Sequence, residues 1–204
     1  MTAAFPPPGQ VTQIAEVYGG FFILLNFSTS NSASSGPGHD PEVTLSSVGV
    51  TRIGAGIGTL TLSASDTGFH APTNPPLEVI SSSSATFASG LDPKTEGATF
   101  NTYASSGSTL FTTSGPGVAH PDQINLSPLS ASGTTVRDGF IPTSSTFTLT
   151  SVATYTLGTG HSIVSFGSDS IVPTPEPATL ASALAGVGLF GFGAWLRRRR
   201  RAAA

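Results

Sequence analysis

The sequence contains no cysteine, one lysine, one methionine and one tryptophan in 204 residues. Without cysteine, neither a disulfide-stapled scaffold nor a thiolate metal site is available. Charged residues make up only 9% of the chain. With 24 glycines and 16 prolines scattered through it, that scarcity excludes a long coiled coil. Between residues 1 and 172 the only basic side chains are Arg52, Lys94 and Arg137, against ten acidic ones, a net charge of −7. Such a body is a poor match for nucleic acid, whose binding rests on Lys and Arg neutralising phosphates.

What fills the chain instead is hydroxyl: 29 Ser and 27 Thr. Leu, Ile, Val and Phe together number fifty, near a quarter of the residues. That lies above the roughly 20% floor below which a chain cannot bury a core. One globular domain fits the length.

The hydroxyls alternate with apolar residues, the period of a half-buried strand. In Thr59-Leu60-Thr61-Leu62-Ser63-Ala64, leucines take one face and hydroxyls the other. Thr146-Phe147-Thr148-Leu149-Thr150 repeats the pattern, and Ala153, Tyr155 and Leu157 continue it. Further strands are expected over 11–18, 21–27, 43–50, 77–87, 98–104, 108–113 and 162–171. Turn signals separate many of them, among them Gly36-Pro37-Gly38, 72–76, 90–93, Gly115-Pro116-Gly117 and 158–160. About ten short strands with polar outer faces predict an all-β fold, an antiparallel two-layer β-sandwich. Thr supplies β-branching together with solubility, which accounts for its abundance.

No catalytic, cofactor or metal site is legible in this body. His39, His70, His120 and His161 show no metal-ligand spacing. Gly36-Pro37-Gly38-His39-Asp40 loosely echoes Gly115-Pro116-Gly117-Val118-Ala119-His120-Pro121-Asp122. Two unrelated exposed turns are a better account of that echo than a shared site. Asp40/Glu42 and Asp92/Glu96 lie in turn-like stretches, where solvated charge is ordinary. Gly54-Ala55-Gly56-Ile57-Gly58 lacks the lysine and helix pattern of a phosphate loop. It reads as a bend entering the Leu60 strand.

The C-terminal part differs in kind. From Ala178 to Leu196 run 19 residues without charge or proline. As a helix they span about 28 Å, near the thickness of a bilayer's hydrocarbon core. Trp195 stands at the far end, where an indole prefers the interface. Arg197, Arg198, Arg199, Arg200 and Arg201 follow directly, and the positive-inside rule puts them in the cytoplasm. The body then belongs on the other side of the membrane. The first positive side chain is Arg52, and the apolar run 21–25 is shorter than a signal h-region of about 7–15 residues. The expectation is therefore that a segment upstream of Met1 carries the export signal, with room for a first strand.

Before the apolar run stands Pro173-Thr174-Pro175-Glu176-Pro177. The prolines hold this stretch extended. A Pro-Glu-Pro triplet, a membrane-length helix and an Arg cluster, in that order, resemble the PEP-CTERM sorting domain of bacterial surface and extracellular proteins. The resemblance covers residues 173–201. It implies that Pro175, Glu176 and Pro177 are recognised by an exosortase, a membrane-embedded cysteine transpeptidase, with cleavage near the triplet. Residues 59–69 and 149–157 are similar to stretches in the bodies of many proteins with this tail. That similarity supports a secreted β domain and implies no activity.

The expected layout is a flexible Pro-rich N-terminus (1–10), a β-sandwich body (11–172), a linker motif (173–177), a transmembrane helix (178–196) and a basic cytoplasmic tail (197–204). The expected role is a non-enzymatic structural protein of the cell surface or extracellular matrix, with exopolysaccharide as a further partner and no nucleic acid. A carbohydrate-binding or adhesive module is the alternative, weakened by the three Tyr and absent Trp of the body. A hydrolase ranks below both, given the sparse acids and histidines.

Overall fold

The structure, a computed structural model, describes residues 12–27, 40–70 and 76–173. Eleven strands form among them: β1 (Thr12–Tyr18), β2 (Phe21–Phe27), β3 (Glu42–Arg52), β4 (Gly58–His70), β5 (Leu77–Phe87), β6 (Gly97–Ser106), β7 (Val118–Ala119), β8 (Ile124–Leu126), β9 (Ser132–Phe140), β10 (Thr146–Leu157) and β11 (Ser162–Ile171). The all-β expectation holds for these residues. Two antiparallel sheets form. The first has the order β1-β2-β3-β11-β5-β9, and the second β4-β10-β6-β7, with β8 also on β6.

Alternation decides which way each strand faces. Along β4, Leu60, Leu62 and Ala64 are buried while Thr59, Thr61 and Ser63 are exposed. Along β5, Leu77, Val79, Ser81, Ser83 and Ala85 are buried and the residues between them are less so. Both sheets contribute side chains to two apolar clusters. In the first, Tyr155 and Phe100 pack edge-on against Phe166, with ring centroids at 5.3 and 6.1 Å. In the second, Phe147 meets Phe69 and Phe140 at 5.5 and 5.6 Å.

A row of buried hydroxyls separates the clusters. Ser151 (β10) and Ser170 (β11) lie 2.6 Å apart, Ser170 and Thr102 (β6) 2.8 Å, and Thr102 donates to Ser81 (β5) at 2.9 Å. Each hydroxyl has one proton. With Thr102 donating to Ser81, the chain runs Ser151 to Ser170 to Thr102 to Ser81. On each strand the hydroxyl falls between a residue of one cluster and a residue of the other, as Thr102 does between Phe100 and Ala104. The polar row thus bridges the two sheets at mid-body.

Several details differ from the sequence-based expectation. Residues 108–113 form turns and bends over the second sheet, not a strand. The Phe111 N–H donates to Ser65 Oγ at 3.1 Å there, and Phe111 takes a positive φ of 58°. β7, β8 and β9 were not expected. β7 and β8 are too short to show a period, and β9 is exposed along most of its length, so its sequence carries no alternation. The strands are also not uniformly short: β4 and β10 run to 13 and 12 residues.

Candidate functional site

The residues that sequence singles out for sorting lie outside the described residues. This applies to Pro175, Glu176, Pro177, Ala178, Trp195, Leu196 and Arg197 to Arg201. Among the described residues no helix is long and apolar enough to cross a membrane. The structure does show the base from which this segment departs. Beyond β11, the Val172 N–H donates to the Pro41 carbonyl at 2.9 Å. The Val172 side chain is fully buried in the second apolar cluster. Pro173 follows at intermediate exposure. The body is therefore fastened immediately before the Pro-rich stretch begins, and a pull on that stretch is taken by a buried valine and a backbone hydrogen bond.

The opposite end of the body gathers four connections: 19–20, 53–57, 88–96 and 158–161. Two charged side chains tie them together. Arg52, at the end of β3, donates to the carbonyls of Gly19, Gly20 and Ala55 at 2.9, 3.0 and 3.1 Å. Its guanidinium stacks 4.8 Å from the centre of the Phe21 ring. The expected bend over 54–58 is present, and its glycines have a purpose that sequence alone did not reveal. A Cβ at Gly54 or Gly58 would lie 2.6 Å from the guanidinium.

Glu96 is the second tie. The expectation of solvated charge at Asp92/Glu96 holds only for Asp92, an exposed turn residue that accepts from the Lys94 N–H and the Thr95 hydroxyl. Glu96 is only 6% exposed. Its carboxylate accepts from the Asp92 N–H at 2.8 Å and from the Gly158 N–H. His161 Nδ1 lies 2.7 and 2.8 Å from its two oxygens. Burial pushes the Glu96 carboxyl up, but the hydrogen bonds from Asp92, His161 and Gly158 outweigh it, and the net direction is down. Among the described residues the further hydrogen-bond partners of Glu96 are the backbone amides of Asp92 and Gly158, so the arrangement cross-links loops.

The other histidines do not converge. His120 packs against Tyr103 at 5.7 Å between ring centroids, His70 ends β4 in solvent, and His39 lies outside the described residues. Among the described residues no group of three or more metal-ligating side chains forms.

One concavity marks the outer face of the first sheet. It has a volume of about 550 Å³ and crosses four strands. Thr44, Asp169, Ser82 and Thr134 stand in one cross-strand row, with Ser84 and Ser132 beside it. Six small polar side chains thus offer hydroxyls and one carboxylate on a shallow surface without aromatics.

Residues 173–201 match the family model of the PEP-CTERM protein-sorting motif. No curated protein matches the chain. The motif implies recognition by exosortase-type processing and export toward the cell envelope or the extracellular space. Upstream of it stands the β-rich body described above.

Proposed function

We propose that this is an exported, non-enzymatic structural protein of the bacterial cell surface or extracellular matrix. The observation that carries the reading is the sorting motif at residues 173–201 directly behind an independently packed β body. On this reading the body is a two-layer β-sandwich of hydroxyl-covered sheets. Residues 178–196 hold it in the inner membrane as a transmembrane helix, and Arg197 to Arg201 remain in the cytoplasm. An exosortase then recognises Pro175-Glu176-Pro177 and cleaves nearby, releasing the body from its basic tail.

Cell fractionation of native and tail-deleted protein tests this. Deletion is expected to abolish delivery to the surface, and unchanged location would refute sorting by the tail. Mass spectrometry of the mature protein tests cleavage, since an intact Arg run on the surface form would exclude it.

The groove on the first sheet favours a second reading, a carbohydrate-binding or adhesive module. Hydroxyls and the Asp169 carboxylate can exchange hydrogen bonds with an exopolysaccharide. Without an aromatic platform the groove offers little apolar contact to a sugar ring. Glycan-array binding by the full chain, lost in Asp169→Ala, would establish this reading over the structural one.

A further inference from the structure

Among the described residues, β1 has a strand on one side only. A bare sheet edge is a template for pairing, and proteins usually blunt it with charge, bulges or brevity. The other described edges follow that rule at least in part. β9 carries exposed Arg137 and Asp138, and its register against β5 shifts between Leu77 and Val79. β7 and β8 have two and three residues. β4 turns only Thr and Ser outward over its first half, and its pairing with β10 shifts beyond that.

β1 is guarded by a single charge, Glu16, and by no bulge. Residues 12–27 include one charge, Glu16, and no proline. The register of β1 against β2 runs unbroken through seven pairs. The hairpin face turned away from the core is apolar, with Val17 59% exposed, Phe22 42% and Leu24 37%, while Glu16 and Tyr18 on the other face of β1 are exposed as well. Val17 pairs with Phe22 and Ala15 with Leu24, so these residues share one face. The bare side of Gly49 adjoins Leu24 and the β11 backbone at Val164, itself exposed, and so extends the patch.

We propose that β1 pairs with β1 of a second copy, antiparallel about a twofold axis at Ala15, joining two six-stranded sheets into one. The strand suits its own copy. Ala15 is the middle of Thr12–Tyr18, so this register uses all seven residues. It sets position 16 opposite position 14, 17 opposite 13 and 18 opposite 12. The two Glu16 carboxylates are then diagonal neighbours. A register centred on Glu16 would place like charges directly opposite, which is destabilising. The twofold also brings Val17, Phe22 and Leu24 of each copy to the same face of the seam, an isologous contact.

The absence of cysteine makes the test clean. Full-length chain in detergent carrying Ala15→Cys has one thiol on the axis. Directly opposed residues in an antiparallel pair stand about 4.5–5.5 Å apart at Cα, within disulfide range. Oxidation is expected to link this variant into a covalent dimer. In Val17→Cys the two thiols would be offset by four residues, roughly 13 Å, too far to bridge. Light scattering is expected to show a dimer for the native chain and a monomer for Ala15→Lys, with an unchanged circular dichroism spectrum. A monomeric native chain at tens of micromolar, a dimer that persists in Ala15→Lys, or linking at position 17 as fast as at 15 would each overturn the proposal.

Discussion

The Glu96 carboxylate and the His161 imidazole, 65 residues apart in sequence, meet at 2.7 Å with the carboxylate almost wholly out of water. Despite burial, the hydrogen bonds to Glu96 hold its pKa below the ordinary value of 4.5. A carboxylate whose folded pKa is lowered contributes stability that is present above its unfolded pKa and lost as pH falls through the folded one. Glu96→Gln removes that contribution and leaves buried donors poorly paired. The expected cost at neutral pH is about 1–3 kcal/mol. Below about pH 4.3 the native protein should lose stability faster than the variant, and the gap between them should narrow. Denaturant unfolding from pH 7 to pH 3 checks this. Parallel curves would show that Glu96 does not titrate as argued.

Arg52 presents a different coupling, between a side chain and the glycines around it. Gly54 has an ordinary backbone conformation, so alanine is strained there only by the guanidinium 2.6 Å from its Cβ. Gly54→Ala should displace that guanidinium from the carbonyls of Gly19, Gly20 and Ala55 and destabilise the body. In an Arg52→Ala background the same substitution should be nearly silent. A double-mutant cycle by thermal unfolding is expected to give a coupling of about 0.5–3 kcal/mol, the range for residues sharing one network. Additive effects would mean that Gly54 serves some other purpose.

Much of this fold is legible in sequence, because alternation reports one-sided burial directly. β5 and β11 coincide with the expected 77–87 and 162–171. What is not legible has a physical cause in each case. β9 lies at an edge where both faces meet solvent over most of its length, so no period is imposed on it. Residues 108–113 have the hydroxyl and apolar composition of the strands yet form a turn. Their shape is set by tertiary hydrogen bonds, such as that from Phe111 to Ser65. Glu96 and His161 meet only through the topology, since no local pattern relates residues so far apart in sequence. Arg52 did leave a trace, in the three glycines that follow it within six residues. The sorting motif is the opposite case, written wholly in local sequence.

The polar row through the core predicts that buried hydroxyls here divide into two kinds. Thr102 joins the two sheets through Ser81 and Ser170. Thr102→Val keeps the shape, breaks the chain and should cost about 1–3 kcal/mol, because buried partners lose their hydrogen bonds. Tyr155 Oη and Ser83 Oγ are also buried, but neither has a hydrogen-bond partner among the described residues. A buried hydroxyl without a partner costs about 1–3 kcal/mol on mutational scales. Tyr155→Phe and Ser83→Ala should therefore be neutral or stabilising. Denaturant unfolding of the three variants decides the matter, and a loss in Tyr155→Phe as large as that in Thr102→Val would contradict it.

Phe111 is the one non-glycine residue with positive φ among the described residues, and it is 43% exposed. The left-handed region costs an L-residue roughly 1–2 kcal/mol. Glycine escapes that cost but loses more chain entropy on folding, about 0.5–1 kcal/mol relative to alanine. Removing the ring itself affects Phe111→Ala and Phe111→Gly alike, so comparing the two isolates the backbone. At an ordinary strand or helix position the alanine variant would be the more stable. Here the order should reverse, with Phe111→Gly the more stable by up to about 1 kcal/mol, since only glycine takes φ near 58° freely. Thermal unfolding of the pair measures the difference. If the alanine variant matches or exceeds the glycine one, the turn over Ser65 relaxes to negative φ, and the hydrogen bond from the residue 111 amide to Ser65 does not hold it in place.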